Sequence, residues 1–171
     1  LQRVRRTHVR HRLVIAAVEE AQRRGGQPVV HVRQALDGRS ERTYTAPCGD
    51  LMAMDGAYIG SVAPLFTGIK LIGGAVVEDM ATLDPSAVPV AAPVDMSGAQ
   101  LIALVEEAGR KGTMVDFTFH GIGGDHLQVS RQAHEELLAY LAAHRDQYWT
   151  APFIDIMRWV RKAQADGTST P

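Results

Sequence analysis

The chain has 171 residues, 46% of them hydrophobic, and a formal net charge of −1. That length suits a single domain, 1–171, with enough apolar side chain for a real core, and the near-neutral balance excludes a general nucleic-acid binder. No apolar run approaches the roughly 18 residues of a membrane span, and the single cysteine, Cys48, excludes both an intrachain disulfide and a cysteine-based zinc site.

The first residues, Leu1-Gln2-Arg3, carry neither an initiator methionine nor a signal-peptide pattern. The chain therefore reads as beginning inside a gene product. A lone cysteine fits the cytoplasm without excluding export. Residues 4 to 24 read as a helix, with Val9, Leu13, Ala16, Ala17 and Ala21 at three- and four-residue spacings and Gly25-Gly26 as its stop. Arg3, Arg5, Arg6, Arg10, Arg12, Arg23 and Arg24 make its solvated face. His8 and His11 share a face of that helix, where the surrounding arginines disfavour a cation. Gln27 to Val32 reads as a short strand, and Asp37 to Ser40 as a loop.

Arg42-Thr-Tyr44-Thr-Ala-Pro47-Cys48-Gly49-Asp50 reads as a strand stopped by Pro47 and Gly49, opening into a turn that carries a carboxylate. Gly56 to Phe66 reads as a short helix. Gly68 to Leu71 and Ala75 to Glu78 read as short strands, and Asp84 to Asp95 as a loop with a short extended piece. Ser97 opens the clearest helix: Ser97 and Gln100 fit a capping box, Leu101, Leu104, Val105 and Ala108 form the stripe, and Gly112 closes it.

The strand that follows organises the chain. Val115, Phe117 and Phe119 alternate with Asp116, Thr118 and His120, giving one apolar face and one bearing a carboxylate, a hydroxyl and an imidazole. It runs into Gly121, Gly123 and Gly124, where the backbone can turn sharply. A histidine at such a strand end sits where α/β folds place their chemistry. Ser130 then caps a helix with Ala133, Leu137, Leu138 and Leu141 inward, His134 and His144 being exposed. Tyr148-Trp149 reads as a last short strand. Thr150 caps a final helix with Pro152 in its first turn, burying Phe153, Ile156, Met157 and Val160. Residues 166–171 read as a frayed tail. Strands alternating with helices imply a mainly parallel α/β sheet, open or barrel-like.

Two chemistries fail on composition. Phe119-His120-Gly-Ile-Gly-Gly is similar to the oxyanion loop of α/β-hydrolases, yet no serine stands in a Gly-x-Ser-x-Gly context. The glycines are no phosphate cradle, since neither a lysine nor a Gly-x-Gly-x-x-Gly spacing accompanies them. Cys48 reads as a small residue in a turn rather than a nucleophile.

Three stretches, in order, resemble the C-terminal half of the polysaccharide deacetylase (NodB-homology) family of carbohydrate esterases. Arg42-Thr-Tyr-Thr-Ala-Pro-Cys-Gly resembles the third motif, Phe117-Thr-Phe-His120 the fifth, and Val129-Ser130 to Phe153, with Tyr148-Trp149-Thr-Ala-Pro-Phe153, the tail of bacterial members. The resemblance covers about residues 10 to 163. It implies a distorted (β/α) barrel, here a partial one, and removal of an acetyl group from an N-acetylated (or O-acetylated) carbohydrate. In that family an Asp-Asp motif supplies the base and one metal ligand, and a His-x-x-x-His motif supplies two more. Zinc or a similar divalent ion polarises the acetyl carbonyl and activates water. The fifth-motif histidine, His120, protonates the departing amine.

The departures are specific. No Asp-Asp pair is present, His8 and His11 are one residue too close, Thr45 stands where the third motif has arginine (Arg42 lies nearby), and Glu78-Asp79 is the one acidic pair near a fourth motif. The chain is therefore expected to lack the metal-binding half, to hold no zinc tightly and to be a poor catalyst alone. The resemblance implies His120 as the catalytic residue, and Tyr44, Pro47, Cys48, Gly49, Asp50 and Trp149 are the expected substrate contacts. The rival reading is a non-catalytic carbohydrate-binding or assembly module, with Tyr44, Tyr148 and Trp149 stacking on sugars. A third is a new metal site of His120, Asp125 and His126. Half a barrel leaves open strand edges, so a homo-oligomer covering the edge is expected, with carbohydrate as the other partner and neither nucleic acid nor membrane.

Overall fold

The computed structural model describes residues 38–46 and 57–167. The expected N-terminal helix and strand, the His8 and His11 pair, the Pro47 to Asp50 turn and the last four residues fall outside them. The chain divides into two compact units, Leu1–Arg42 and Thr43–Pro171. In the first, residues 38–42 are described, and Gly38 turns the backbone with φ +72°. All the elements below belong to the second.

Three strands, β1 (Thr43–Thr45), β2 (Gly68–Ile72) and β3 (Val88–Val90), lie side by side in sequence order. All are parallel, with Thr43 opposite Gly68 and Lys70 opposite Val88. The His120 segment continues the row. Ala91 and Phe117 form a parallel bridge, in which Ala91 N–H donates to Asp116 O and Thr118 N–H to Ala91 O, both at 2.9 Å. Among the described residues this segment stands at one end of the row rather than at its centre, and two bridges replace the long strand that its alternation predicts. The expected strand at 75–78 shrinks to a single antiparallel bridge, Val76 with Val115. The extended piece expected within 84–95 is β3, flanked by β2 and the His120 segment, with Val88 and Val90 buried and Pro89 half-buried.

Helices cover both faces. Between β1 and β2 lies a short helix, α1 (Ala57–Val62), running into a 3-10 turn at Ala63–Leu65. Helix α2 (Gly98–Lys111) forms as its sequence predicts. The Ser97 hydroxyl accepts from Gln100 N–H, the Gln100 side chain accepts from Ser97 N–H at 2.9 Å, and Gly112 ends the helix at φ +65°, where a Cβ would be strained. Its side chains Leu101, Val105 and Ala108 are buried. Replacing Ser97 with alanine orphans a helix N–H and is expected to lower stability by about 1 kcal/mol; urea unfolding measures it, with an unchanged m-value.

Helix α3 (Arg131–Ala143) is capped by Ser130, whose hydroxyl accepts from Ala133 N–H at 3.0 Å. It packs on α2. Leu101, Val105, Ala133 and Leu137 join Val115, Phe117 and Phe119 in one cluster. Leu138, predicted inward, is 51% exposed: Ala133 and Leu137 already define the stripe, and one residue further rotates it by about 100° away from α2.

Helix α4 (Phe153–Ala165) covers the opposite face, where Met157 and Val160 pack with Val77, Leu83, Val88 and Met114. Met114 and Asp116 alternate with Val115 and Phe117, so the segment buries one side against α2 and α3 and the other against α4. Gly68 lies directly beneath α4: a Cβ there would come within 2.5 Å of Met157 Cγ. Two expectations are corrected here. The N-cap of α4 is Pro152, without a side-chain cap, rather than Thr150. Tyr148-Trp149 form no strand; the chain there crosses from one face of the sheet to the other.

The architecture is therefore α/β, parallel strands with helices on both faces, and among the described residues it closes no barrel. No helix among them is long and apolar enough to cross a membrane.

Candidate functional site

The carboxyl ends of β3 and of the His120 segment meet in a strained loop region. After His120, β4 (Gly121–Ile122) pairs in parallel with β5 (Gln128–Val129), clamping the glycine turn between them. Gly121 is needed because the carbonyl oxygen of Gly124 occupies the space a Cβ would take, and Gly123 adopts φ +70°. Three non-glycine residues also sit at positive φ: Asp95 (+52°), Asp125 (+82°) and Leu127 (+54°). Asp95 N–H donates to Gln128 O at 2.8 Å, tying the loop after β3 to β5. Such backbone costs of order 1 kcal/mol per residue, persists where the surroundings over-determine it, and clusters at functional sites.

His120 is exposed at this end. Its ring meets that of His126 edge-on, with centroids 5.9 Å apart. Asp125 turns its Oδ1 back to accept the His126 N–H at 2.7 Å. His120, Asp125 and His126 form no metal-holding group, and no group of three His, Cys, Asp or Glu side chains among the described residues could hold one. The residues described here do not fit the divalent ion that the deacetylase family uses.

Tyr44, on β1, packs against Phe66 with the rings tilted by 37° and their centroids 5.1 Å apart. Burial, and then Tyr58, raise its hydroxyl pKa. Pro47, Cys48, Gly49 and Asp50 lie outside the described residues. Trp149 is 58% exposed and meets Trp159 edge-on at 6.4 Å. It lines a cavity of about 430 Å³ that also touches Phe117, Tyr148, Phe153 and Trp159. His120 is not part of this cavity, which lies against the start of the segment, Gly112 to Phe117. The structure thus separates two of the predicted contacts: His120 at the carboxyl end, Trp149 beside the amino end.

A charge pair that sequence reasoning did not single out joins the strands across β3. Lys70 Nζ donates to Asp116 Oδ1 at 3.0 Å and lies 2.9 Å from Oδ2, with both side chains largely buried. Lys70 also sits 4.7 Å from the centre of the Phe153 ring. Burial raises the Asp116 pKa, and the hydrogen bond and charge of Lys70 oppose that rise. Lys70 inside an otherwise apolar strand was the signal available in the sequence.

His134 and His144, expected exposed, are half-buried. His134 meets Phe119 edge-on at 4.9 Å, and His144 stacks on Tyr140 at 4.1 Å with Nδ1 2.8 Å from Tyr140 O. Tyr140 also contacts Glu106 and Tyr148 through its hydroxyl, and these contacts, Tyr148 first, raise its pKa.

Compared with known proteins, the chain matches no family model, no curated protein and no solved structure.

Proposed function

We propose that this chain is part of a polysaccharide deacetylase-like hydrolase that removes N- or O-linked acetyl groups from a carbohydrate, with His120 as the group that protonates the departing amine. The observation that carries this reading is the position of His120: exposed, at the carboxyl end of parallel strands that follow one another in sequence order. Around it the backbone is strained at Asp95, Asp125 and Leu127. The resemblance of Arg42 to Gly49 and of Phe117 to His120 to the family's third and fifth motifs supplies the reaction class.

Within that reaction His120 needs only reach and a proton. Its exposed ring can approach the amide nitrogen of a bound sugar and deliver a proton as the carbon–nitrogen bond of the water adduct breaks. The acetyl carbon keeps the oxygen of water and leaves as acetate, with a free amine on the sugar. Tyr44, on β1, borders the sugar in this proposal, with Pro47, Cys48, Gly49 and Asp50 as further expected contacts. The Asp-Asp and His-x-x-x-His motifs that hold the family's metal do not occur in this sequence, so the proposed reaction needs metal ligands that these residues do not supply. Acetate release from an N-acetylated oligosaccharide tests the proposal: the full-length product is expected to release it and the isolated chain not to.

Among the described residues β1 ends the row of strands without a further neighbour, and a homo-oligomer that pairs such an edge is a second proposal. Sedimentation equilibrium is expected to give at least a dimer mass, and a monomer at all concentrations would remove it.

A further inference from the structure

The cavity beside the amino end of the His120 segment has a chemistry of its own. Its volume, about 430 Å³, falls in the range of about 300–1,000 Å³ that small-ligand sites occupy. Two indoles inclined at 71° to each other, Trp149 and Trp159, share its wall with Phe153 and Tyr148. Four polar side chains, Thr113, Asp116, Gln147 and Thr150, line it as well. Thr113 Oγ1 is buried and has no hydrogen-bond partner, whereas both Asp116 oxygens lie within 3.0 Å of Lys70 Nζ.

These features select among occupants. A purely apolar ligand leaves the Thr113 oxygen unpartnered and desolvated. A cation finds Asp116 already paired with Lys70, and the described lining holds no lysine or arginine to receive an anion. A neutral ring with hydroxyl groups on its rim and C–H groups on its faces satisfies both demands: hydroxyls for the polar side chains, Thr113 first, and an apolar face for the indoles. We propose that this cavity is a binding site for a neutral sugar ring, separate from His120. Trp149, more than half exposed, forms its lip, so a longer saccharide can enter with one terminal ring.

Cellobiose is the probe, because it carries no acetyl group and cannot serve as a substrate for deacetylation. Tryptophan fluorescence of the full-length product is expected to change saturably with cellobiose. Trp149→Ala, at an exposed position, should weaken binding about tenfold. Thr113→Val removes the unpartnered oxygen while keeping the shape; stability should hold or rise, and affinity should fall about fivefold. His120→Ala should bind as the parent does. Lack of saturable binding, equal binding by both cavity variants, or loss of binding in His120→Ala would each overturn the assignment, as would binding of indole in place of cellobiose. Sugar binding here and acetate release at His120 are read by different assays, so either can fail without the other.

Discussion

Replacing His120 with alanine in the full-length product is expected to lower turnover on an N-acetylated oligosaccharide by about a hundred- to ten-thousand-fold, the usual contribution of a positioned general acid. The side chain is exposed and belongs to neither buried cluster, so folding and thermal midpoint should stay within error. KM should change little, because the lost interaction forms as the leaving nitrogen takes up its proton rather than on binding. A parallel fall in metal content would make His120 a ligand, and unchanged turnover would make it a structural histidine.

Replacing Lys70 with methionine is expected to destabilise the fold by about 3 kcal/mol at neutral pH, as when one partner of a buried ion pair is removed. The stem of methionine preserves packing on Phe153, so the loss reports Asp116 left alone in its buried site. The pH dependence gives the sign. Burial already raises the Asp116 pKa, and Lys70 restrains the rise. Without Lys70 the folded-state value moves further above the unfolded one. A raised carboxyl favours folding while protonated, and that contribution disappears as pH climbs through the folded pKa. The variant should therefore regain stability on mild acidification, from neutral pH towards the ordinary carboxylate range, more than the parent does. Urea midpoints across that window check it; a deficit independent of pH would assign the loss to packing alone.

Local signals made much of this architecture legible. The Ser97 and Gln100 pair, the Gly112 stop and the Ser130 cap each act within one turn of helix, and each formed as read. What the sequence could not convey depended on partners far along the chain. Val88 to Val90, broken by Pro89, looks like loop until β2 and the His120 segment flank it. Leu138 fits a helical stripe and is left outside because α2 covers Ala133 and Leu137 instead. Thr150 has the chemistry of a cap, but Pro152, with fixed φ and no N–H to satisfy, starts α4 two residues later. The alternation over Val115 to His120 correctly predicted two faces; it could not tell that α4 would cover the second, enclosing Asp116 with Lys70. The place of His120 was legible because the glycines that follow it force a turn, and its ring is exposed there. The cavity was not, since Trp149, Thr113 and Asp116 meet there only through the crossing of the chain between faces.

The most direct measurement is of products: acetate and free amine released when the full-length product is incubated with an N-acetylated oligosaccharide. The account predicts that both appear in equal amounts and that both fall together in His120→Ala. Saccharide that binds but yields neither acetate nor amine would contradict it and leave a carbohydrate-binding module in its place.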